Sequence, residues 1–311
     1  MIEPEQARRD AKFVMRLVLV AFVGTILLFV VAGKLPAEIK DLPTKLLFLS
    51  LGWIGWRRFR PPATGTALAG ARRTAIPIAL LAVGNIAASQ ACALLLVVPL
   101  VMLGGRVTPP TAGVLSLAAV TLSWLINVAV TVPGEELLFR GAVLPALRPW
   151  GDRTAFVVSA VLFAMAHVSF TGAFLWALLL GLLTGLARLR TGSLVSGMLL
   201  HGLGNTLGVA MSFSVPLNEL MGSLLAPGLG GLWVVGGILI VLLAWAGLVA
   251  LTFRRLGWRF PERLSPPLPT RRMFTASTAT LVVLYVLINV ALTASMFKTA
   301  PAPKPVATSS Q

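Results

Sequence analysis

Charged residues are scarce in this sequence. Asp, Glu, Lys and Arg make up 12% of the 311 residues, whereas soluble domains carry about 25%. Hydrophobic residues make up 57% of the chain, and the mean hydropathy is +0.90. This composition excludes a soluble globular fold. It predicts an all-α, polytopic integral membrane protein, because helices satisfy their backbone hydrogen bonds within the bilayer.

The single cysteine, Cys92, excludes an internal disulfide bond. It lies within an apolar run, so we expect a small packed hydrophobic side chain there. The net charge of +16 comes from basic residues in short clusters between apolar runs, which is the pattern of the positive-inside rule. We therefore expect a lipid bilayer around the chain and no nucleic-acid partner.

The apolar runs predict about eight transmembrane helices in one membrane domain that comprises residues 1–311. A further run at residues 46–56 is shorter than the roughly 20 residues that a span needs. It predicts an interfacial or re-entrant helix, with a short crossing as the alternative. The Pro-, Ala- and Ser-rich tail at residues 300–311 is predicted to be disordered. The eight predicted spans are residues 17–33, 75–103, 112–133, 154–172, 173–187, 193–213, 232–253 and 275–297.

Arginine is distributed unequally between the connections. If the connections alternate sides from residue 57 onward, almost all loop arginines fall on one side, which the positive-inside rule assigns to the cytoplasm. Only Arg106 falls in the opposite inter-span loops. Together with the proline- and arginine-rich composition, this predicts a multi-pass protein of a bacterial plasma membrane.

Very few ionisable side chains lie inside the apolar part of the chain. Of the ten acidic residues, only Glu135 and Glu136 lie away from the termini and the connections. Both histidines, His167 and His201, lie within predicted spans. Because an ionisable side chain inside a membrane costs about 2.5 to 3.5 kcal/mol on insertion scales, these residues are candidates for a functional site.

The spacing of the polar residues predicts which side chains share a helix face. Residues four apart lie on one face, and Glu135 is turned by about 100° from its neighbour. We therefore expect an ion pair between Glu136 and Arg140, with Glu135 facing a polar cavity open to the cytoplasm. This arrangement assumes a helix break at Pro133 and Gly134. The pairs spaced by four are Glu136 and Arg140, Phe163 and His167, and His201 and Asn205.

A carboxylate, two imidazoles and an amide are the groups needed to hydrolyse an amide bond. Glutamate can act as general base on water, while His or Asn donates to the developing oxyanion. The same Glu and two His side chains would also suit Zn²⁺, which lowers the pKa of a bound water to about 7. Both mechanisms fit the residues.

Other intramembrane protease motifs are absent from the sequence. Neither histidine is followed by Glu, so the H-E-x-x-H motif of zinc proteases is missing. A serine nucleophile at Ser196 would need Gly in place of Leu194 to complete G-x-S-G. An aspartate motif G-x-G-D fails because Pro149 stands in place of its first Gly. A glutamate-type or metal-dependent enzyme remains.

Three ordered motifs resemble the CAAX-protease and bacteriocin-processing family of intramembrane endopeptidases, which is also called the Abi family. They are E-E-x-x-x-R from Glu135, F-x-x-x-H from Phe163 and H-x-x-x-N from His201. The resemblance lies in residues 112–213, the predicted catalytic core. It implies a multi-helix membrane fold with a cytoplasm-facing cavity, and a membrane-associated protein or peptide as substrate.

The resemblance also implies a role for each motif residue. Glu135 would activate water together with His167, and His201 with Asn205 would hold the oxyanion. In a metalloprotease of this type, Zn²⁺ would be bound by Glu135, His167 and His201. The supporting residues would be Glu136, Arg140 and Phe163.

Two other classes of function fit the same residues. A transporter or channel would use them as an ion relay. Transporters commonly have matched broken helices in two halves, however, and the Pro-Gly pair at residues 133–134 has no convincing mate in the sequence. A non-catalytic immunity or scaffold protein would keep the fold and act by binding.

Overall fold

The computed structural model describes residues 3–36, 39–59, 80–85, 87–88, 91, 103, 116–168, 173–212, 230–256, 268–269, 273 and 275–295, without the side chains of residues 211–212, 230–235 and 253. The regular structure of these residues is helical, with no strand among them. The prediction of an all-α fold is confirmed. Cys92, Arg106, most of the predicted span 75–103 and the tail 300–311 lie outside the described residues.

We number eight helices among the described residues in chain order. Three of them, α1, α3 and α8, are long and apolar enough to cross a membrane by length and composition. Shorter apolar stretches lie in α6 and α7. The helices are α1 Pro4–Ala32, α2 Leu42–Phe59, α3 Leu117–Trp150, α4 Asp152–Ala166, α5 Leu175–Thr191, α6 Leu194–Ser212, α7 Gly230–Leu256 and α8 Ala276–Ser295.

Helix α1 starts much earlier than the predicted span 17–33, because Pro4 begins a helix that contains the charged residues as well. This charged end is fixed to α2. Asp10 Oδ1 accepts a hydrogen bond from Arg58 Nη2 at 2.7 Å, and the Arg58 guanidinium lies 4.7 Å from the centre of the Phe13 ring. The contact joins the first turns of α1 to the last turn of α2.

Helix α2 has 18 residues and is longer than the predicted run at 46–56. It packs closely against α3 where two glycines meet. A Cβ atom on Gly52 would collide with the Gly134 carbonyl oxygen, and one on Gly134 would lie 2.7 Å from the Leu49 nitrogen. Only glycine lets the two backbones approach this closely. Helix α2 is therefore part of the helix bundle around α3.

Helix α3 is continuous through Pro133 and Gly134, so the predicted helix break there is wrong. The residues Thr131–Leu138 are α-helical, with π-helical turns before them at Leu125–Val130 and after them at Phe139–Val143. Proline has no N–H and clashes with the preceding turn. A wider π turn directly upstream absorbs that defect without interrupting the helix.

Helix α4 ends at Ala166, so the predicted span 154–172 extends too far. His167 caps the helix, and the next residue, Val168, has a φ of 63°. A left-handed conformation is unusual for a β-branched residue. Its carbonyl oxygen accepts a hydrogen bond from Asn289 Nδ2 on α8 at 2.8 Å. His167 thus lies at a helix end that α8 holds in place.

Candidate active site

The two glutamates on α3 are both buried, with relative exposures of 4% for Glu135 and 0% for Glu136. They are adjacent in sequence but face different partners. Because consecutive residues on a helix are about 100° apart, Glu136 can face α6 and Arg140, while Glu135 faces the start of α2, the end of α4 and the middle of α6. The structure gives them clearly different surroundings.

Glu136 lies in a closed polar cluster with Arg140 and His201. Its Oε1 is 3.4 Å from Arg140 Nη1 and 3.0 Å from His201 Nδ1. Its Oε2 faces Gly197 on α6, where an added Cβ would lie only 2.8 Å away. Gly197, which follows Ser196 in the sequence, therefore leaves room for the Glu136 carboxylate.

Ser196 itself belongs to the start of α6. Its Oγ donates to the Ser193 carbonyl at 2.9 Å and lies 2.7 Å from Thr191 Oγ1. These bonds close the turn between α5 and α6. They give Ser196 a structural place in the fold.

Arg140 is fully buried and joins three elements. Nη2 donates to the Gly181 carbonyl of α5 at 3.0 Å, and the guanidinium lies 4.4 Å from the centre of the Phe163 ring of α4. A buried guanidinium is stable only when it is paired and hydrogen-bonded. Glu136 pairs its charge, and the α5 carbonyl and the aromatic face add one hydrogen bond and one ring contact, while Nε and Nη1 have no hydrogen-bond partner among the described residues.

Phe163 is the aromatic centre of the site. Its ring lies edge-on to the rings of both histidines, with centroids 4.9 Å from His167 and 5.7 Å from His201. Its carbonyl oxygen lies 2.9 Å from His167 Nδ1. Phe163 therefore contacts both imidazoles and the guanidinium of Arg140, and it limits the orientations that they can adopt.

Each histidine uses its Nδ1 for a structural contact and turns its Nε2 toward Glu135. His167 Nε2 lies 3.9 Å and His201 Nε2 lies 3.7 Å from Glu135 Oε2. His201 is buried, whereas His167 is partly accessible. Glu135 Oε2 has no hydrogen-bond partner among the described residues. The unsatisfied carboxylate oxygen and the two ring nitrogens converge on one point.

Asn205 lies one turn after His201 on α6. Its Nδ2 donates to the carbonyl oxygen of Asn127 at 2.8 Å, and Asn127 belongs to the first π turn of α3. An amide group has two N–H donors, so this bond fixes the side chain and leaves one donor for another acceptor. Sequence reasoning missed Asn127, since its contribution is a backbone carbonyl.

Lys45 on α2 is a second residue that sequence reasoning missed. Its Nζ lies 4.0 Å from Glu135 Oε1, and its side chain is 23% exposed. Lys45 directly precedes the predicted short helix at residues 46–56 and is part of α2 in the structure. The signal was its spacing: Lys45 precedes Phe48 and Gly52 at i, i+3 and i+7, the positions of one helix face.

The side chains at Glu135 include the types of ligand that zinc prefers. Tetrahedral zinc bonds of about 2.0 to 2.1 Å would bring the ligand atoms to roughly 3.3 Å from one another, and the distances from Glu135 Oε2 to the two imidazoles exceed this. No group of three His, Cys, Asp or Glu side chains in the described part of the chain is arranged to hold a metal ion. The ligand types fit zinc, but their present spacing does not.

Comparison with known proteins gives one family match. Residues 117–207 match a family model described as type II CAAX prenyl endopeptidase Rce1-like. Searches of curated proteins and of solved structures gave no significant match. The matched segment contains both glutamates, both histidines and Asn205, and it excludes Lys45 and Asn289. Residues 117–207 are thus an Rce1-like domain, and the motif resemblance to the CAAX-protease and bacteriocin-processing family is confirmed.

Proposed function

We propose that the protein is an intramembrane endopeptidase that hydrolyses a peptide bond of a membrane-associated protein or peptide. The observation that carries this proposal is the convergence of Glu135 Oε2 with the Nε2 atoms of His167 and His201. The Rce1-like match supports the same class of enzyme. The site would be reached from the cytoplasmic side of a cell membrane, as the distribution of arginine predicts.

In the proposed reaction, Glu135 Oε2 is the general base. With Nδ1–H of His167 donating to the Phe163 carbonyl, Nε2 of His167 is an acceptor. A water molecule between Glu135 Oε2 and His167 Nε2 can donate one hydrogen to each. Glu135 takes a proton as the water oxygen bonds to the peptide carbonyl carbon, and it later passes that proton to the leaving amine nitrogen.

The carbonyl oxygen becomes negatively charged in this step and needs donors. Nε2–H of His201 would donate to the oxyanion, while its Nδ1 contacts Glu136 Oε1 at 3.0 Å. The second N–H of Asn205 Nδ2 would supply another donor, because Asn127 uses only one. Glu136, Arg140 and Phe163 do not touch the reacting atoms in this proposal. They hold the imidazoles in place.

A metal-dependent version has one observation in its favour, namely that both Nδ1 atoms are engaged and both Nε2 atoms face a carboxylate. Glu135, His167 and His201 would be the ligands. A bound zinc ion would supply Lewis-acid activation of water. The ligand atoms would have to move closer together first.

The ion-relay alternative has less support, because the Pro-Gly pair at residues 133–134 that would mark a broken helix does not interrupt α3. Helix α3 is continuous through Pro133 and Gly134. The broken helices that carry ions and substrates in transporters are therefore not seen at this position.

The proposal is tested with purified wild-type protein in proteoliposomes and two synthetic peptides. One peptide carries a farnesylated C-A-A-X end, and the other is the same peptide without the prenyl group. The expected result is cleavage of the farnesylated peptide, with one ¹⁸O atom incorporated into the new carboxylate when the reaction runs in H₂¹⁸O. Cleavage of both peptides at equal rates would support an endopeptidase without prenyl selectivity. Cleavage of neither would contradict the proposal.

A further inference from the structure

We propose that Lys45 is a positioning residue for Glu135, and that it determines which carboxylate oxygen accepts the proton. Lys45 Nζ lies 4.0 Å from Oε1, whereas both histidines face Oε2. The inference rests on the proposed function and deepens it. It concerns a helix outside the segment that matches the Rce1-like family model.

The two oxygens of Glu135 have distinct surroundings. Oε1 faces an ammonium group, and Oε2 is buried without a hydrogen-bond partner among the described residues. An ammonium at this distance attracts the carboxylate without the two-point contact that a guanidinium would make. The attraction turns Oε1 toward α2 and leaves Oε2 directed at the imidazoles. Lys45 thereby distinguishes two oxygens that are chemically equivalent in an isolated side chain.

The helix packing fixes this lysine at the site. Lys45 lies on the face of α2 that also carries Phe48 and Gly52, and that face packs on α3. The close approach of Gly52 and Gly134 sets how near α2 lies to α3 at this point. Glu135 directly follows Gly134 in the chain. The glycine contact therefore sets the distance between ammonium and carboxylate.

The charges at the site support the same conclusion. Two buried carboxylates are adjacent on α3, and an isolated buried charge is costly. Arg140 is engaged with Glu136, the Gly181 carbonyl and Phe163. Lys45 supplies a cation to Glu135, so each carboxylate has its own positive partner. The lysine side chain is 23% exposed, whereas the arginine side chain is 1% exposed.

The first test compares the variants Lys45→Met and Lys45→Arg with wild type in the cleavage of the farnesylated peptide. A base displaced by about 1 Å loses roughly 100-fold in rate, so we expect Lys45→Met to lower kcat about 10- to 100-fold with little change in KM. Lys45→Arg keeps the charge and should recover part of kcat. The control is Lys40→Met, which removes the same charge from an exposed connection and should leave both constants unchanged. An unchanged kcat in Lys45→Met, or a rise in KM alone, would overturn the proposal.

The second test needs no activity. The thermal midpoint is measured for wild type, Lys45→Met, Glu135→Gln and the double variant. We expect Lys45→Met to lower the midpoint in the wild-type background and to have a smaller effect once Glu135 is uncharged. Equal losses in both backgrounds would overturn the pairing of Lys45 with Glu135. If wild type cleaves neither peptide, the proposed function fails, and this cycle still decides whether the two residues form a pair.

Discussion

Replacing Gly134 with alanine should damage both stability and catalysis, because it separates α2 from α3 at the site. The added Cβ would lie 2.7 Å from the Leu49 nitrogen and 2.9 Å from its Cα, whereas ordinary contact begins at 3.4 Å. The difference between 3.4 and 2.7 means that α2 must retreat by about 0.7 Å. The clash is with backbone atoms, so no side-chain rotation relieves it.

Overpacking of this kind costs about 1 to 3 kcal/mol of unfolding free energy. The same displacement moves Lys45 away from Glu135, and a misplacement of about 1 Å costs roughly 100-fold in rate. We therefore expect a lower thermal midpoint and a kcat reduced about 10- to 100-fold for Gly134→Ala. Both are measured on purified protein, by thermal unfolding and by cleavage of the farnesylated peptide.

The control for this prediction is Gly247→Ala in α7, where an added Cβ meets no atom within 4 Å. Alanine is favoured over glycine in a helix by about 1 kcal/mol, so this variant should be at least as stable as wild type. A Gly134→Ala protein with the midpoint and kcat of wild type would refute the reasoning.

Four further predictions concern other parts of the site. Arg140→Met should lower the unfolding free energy by about 3 to 5 kcal/mol, because it leaves Glu136 as a buried charge without its cation; unchanged thermal unfolding would contradict this. Asn289→Leu removes the donor to the Val168 carbonyl and should lower kcat by loosening the turn after His167. Val168→Gly should raise the thermal midpoint, since a left-handed conformation costs a non-glycine residue about 1 to 2 kcal/mol. Shifts in the opposite direction would show that this turn is not strained. Removal of divalent metals with a chelator should leave cleavage intact if Glu135 acts without a metal. A loss of cleavage, together with bound metal found by analysis of the untreated protein, would instead identify a metalloenzyme.

Local spacing predicted part of the site because side chains four apart on a helix are neighbours whatever the rest of the fold does. The structure has Glu136 beside Arg140, and Phe163 beside His167. The convergence of three helices on Glu135 does not follow from this spacing. Its geometry depends on where the helices end, and α4 ends at Ala166.

The contacts that sequence reasoning missed are all between distant segments. The approach of Gly52 to Gly134, the hydrogen bond from Asn205 to the Asn127 carbonyl, and the bond from Asn289 to the Val168 carbonyl have no local periodicity. Two of them use backbone carbonyls, which every residue has. A pattern of residue types cannot indicate which carbonyl will be an acceptor.

The continuity of α3 was missed for a different reason. Proline followed by glycine usually ends a helix, because the first lacks an N–H and the second is flexible. In this chain the π turn before Pro133 and the packing of Gly134 on α2 override that local preference. Gly134 is required by a neighbouring helix, and this requirement is invisible in a single sequence.

The rate of peptide cleavage by Glu135→Gln is the most direct measurement of the central claim, which is that Glu135 activates water. The substitution keeps the size of the side chain and removes the general base. A general base contributes about 10²- to 10⁴-fold, so we predict a loss of that size in kcat for the farnesylated peptide, in a protein that still inserts and unfolds cooperatively. Cleavage at the wild-type rate by a folded Glu135→Gln protein would contradict the account.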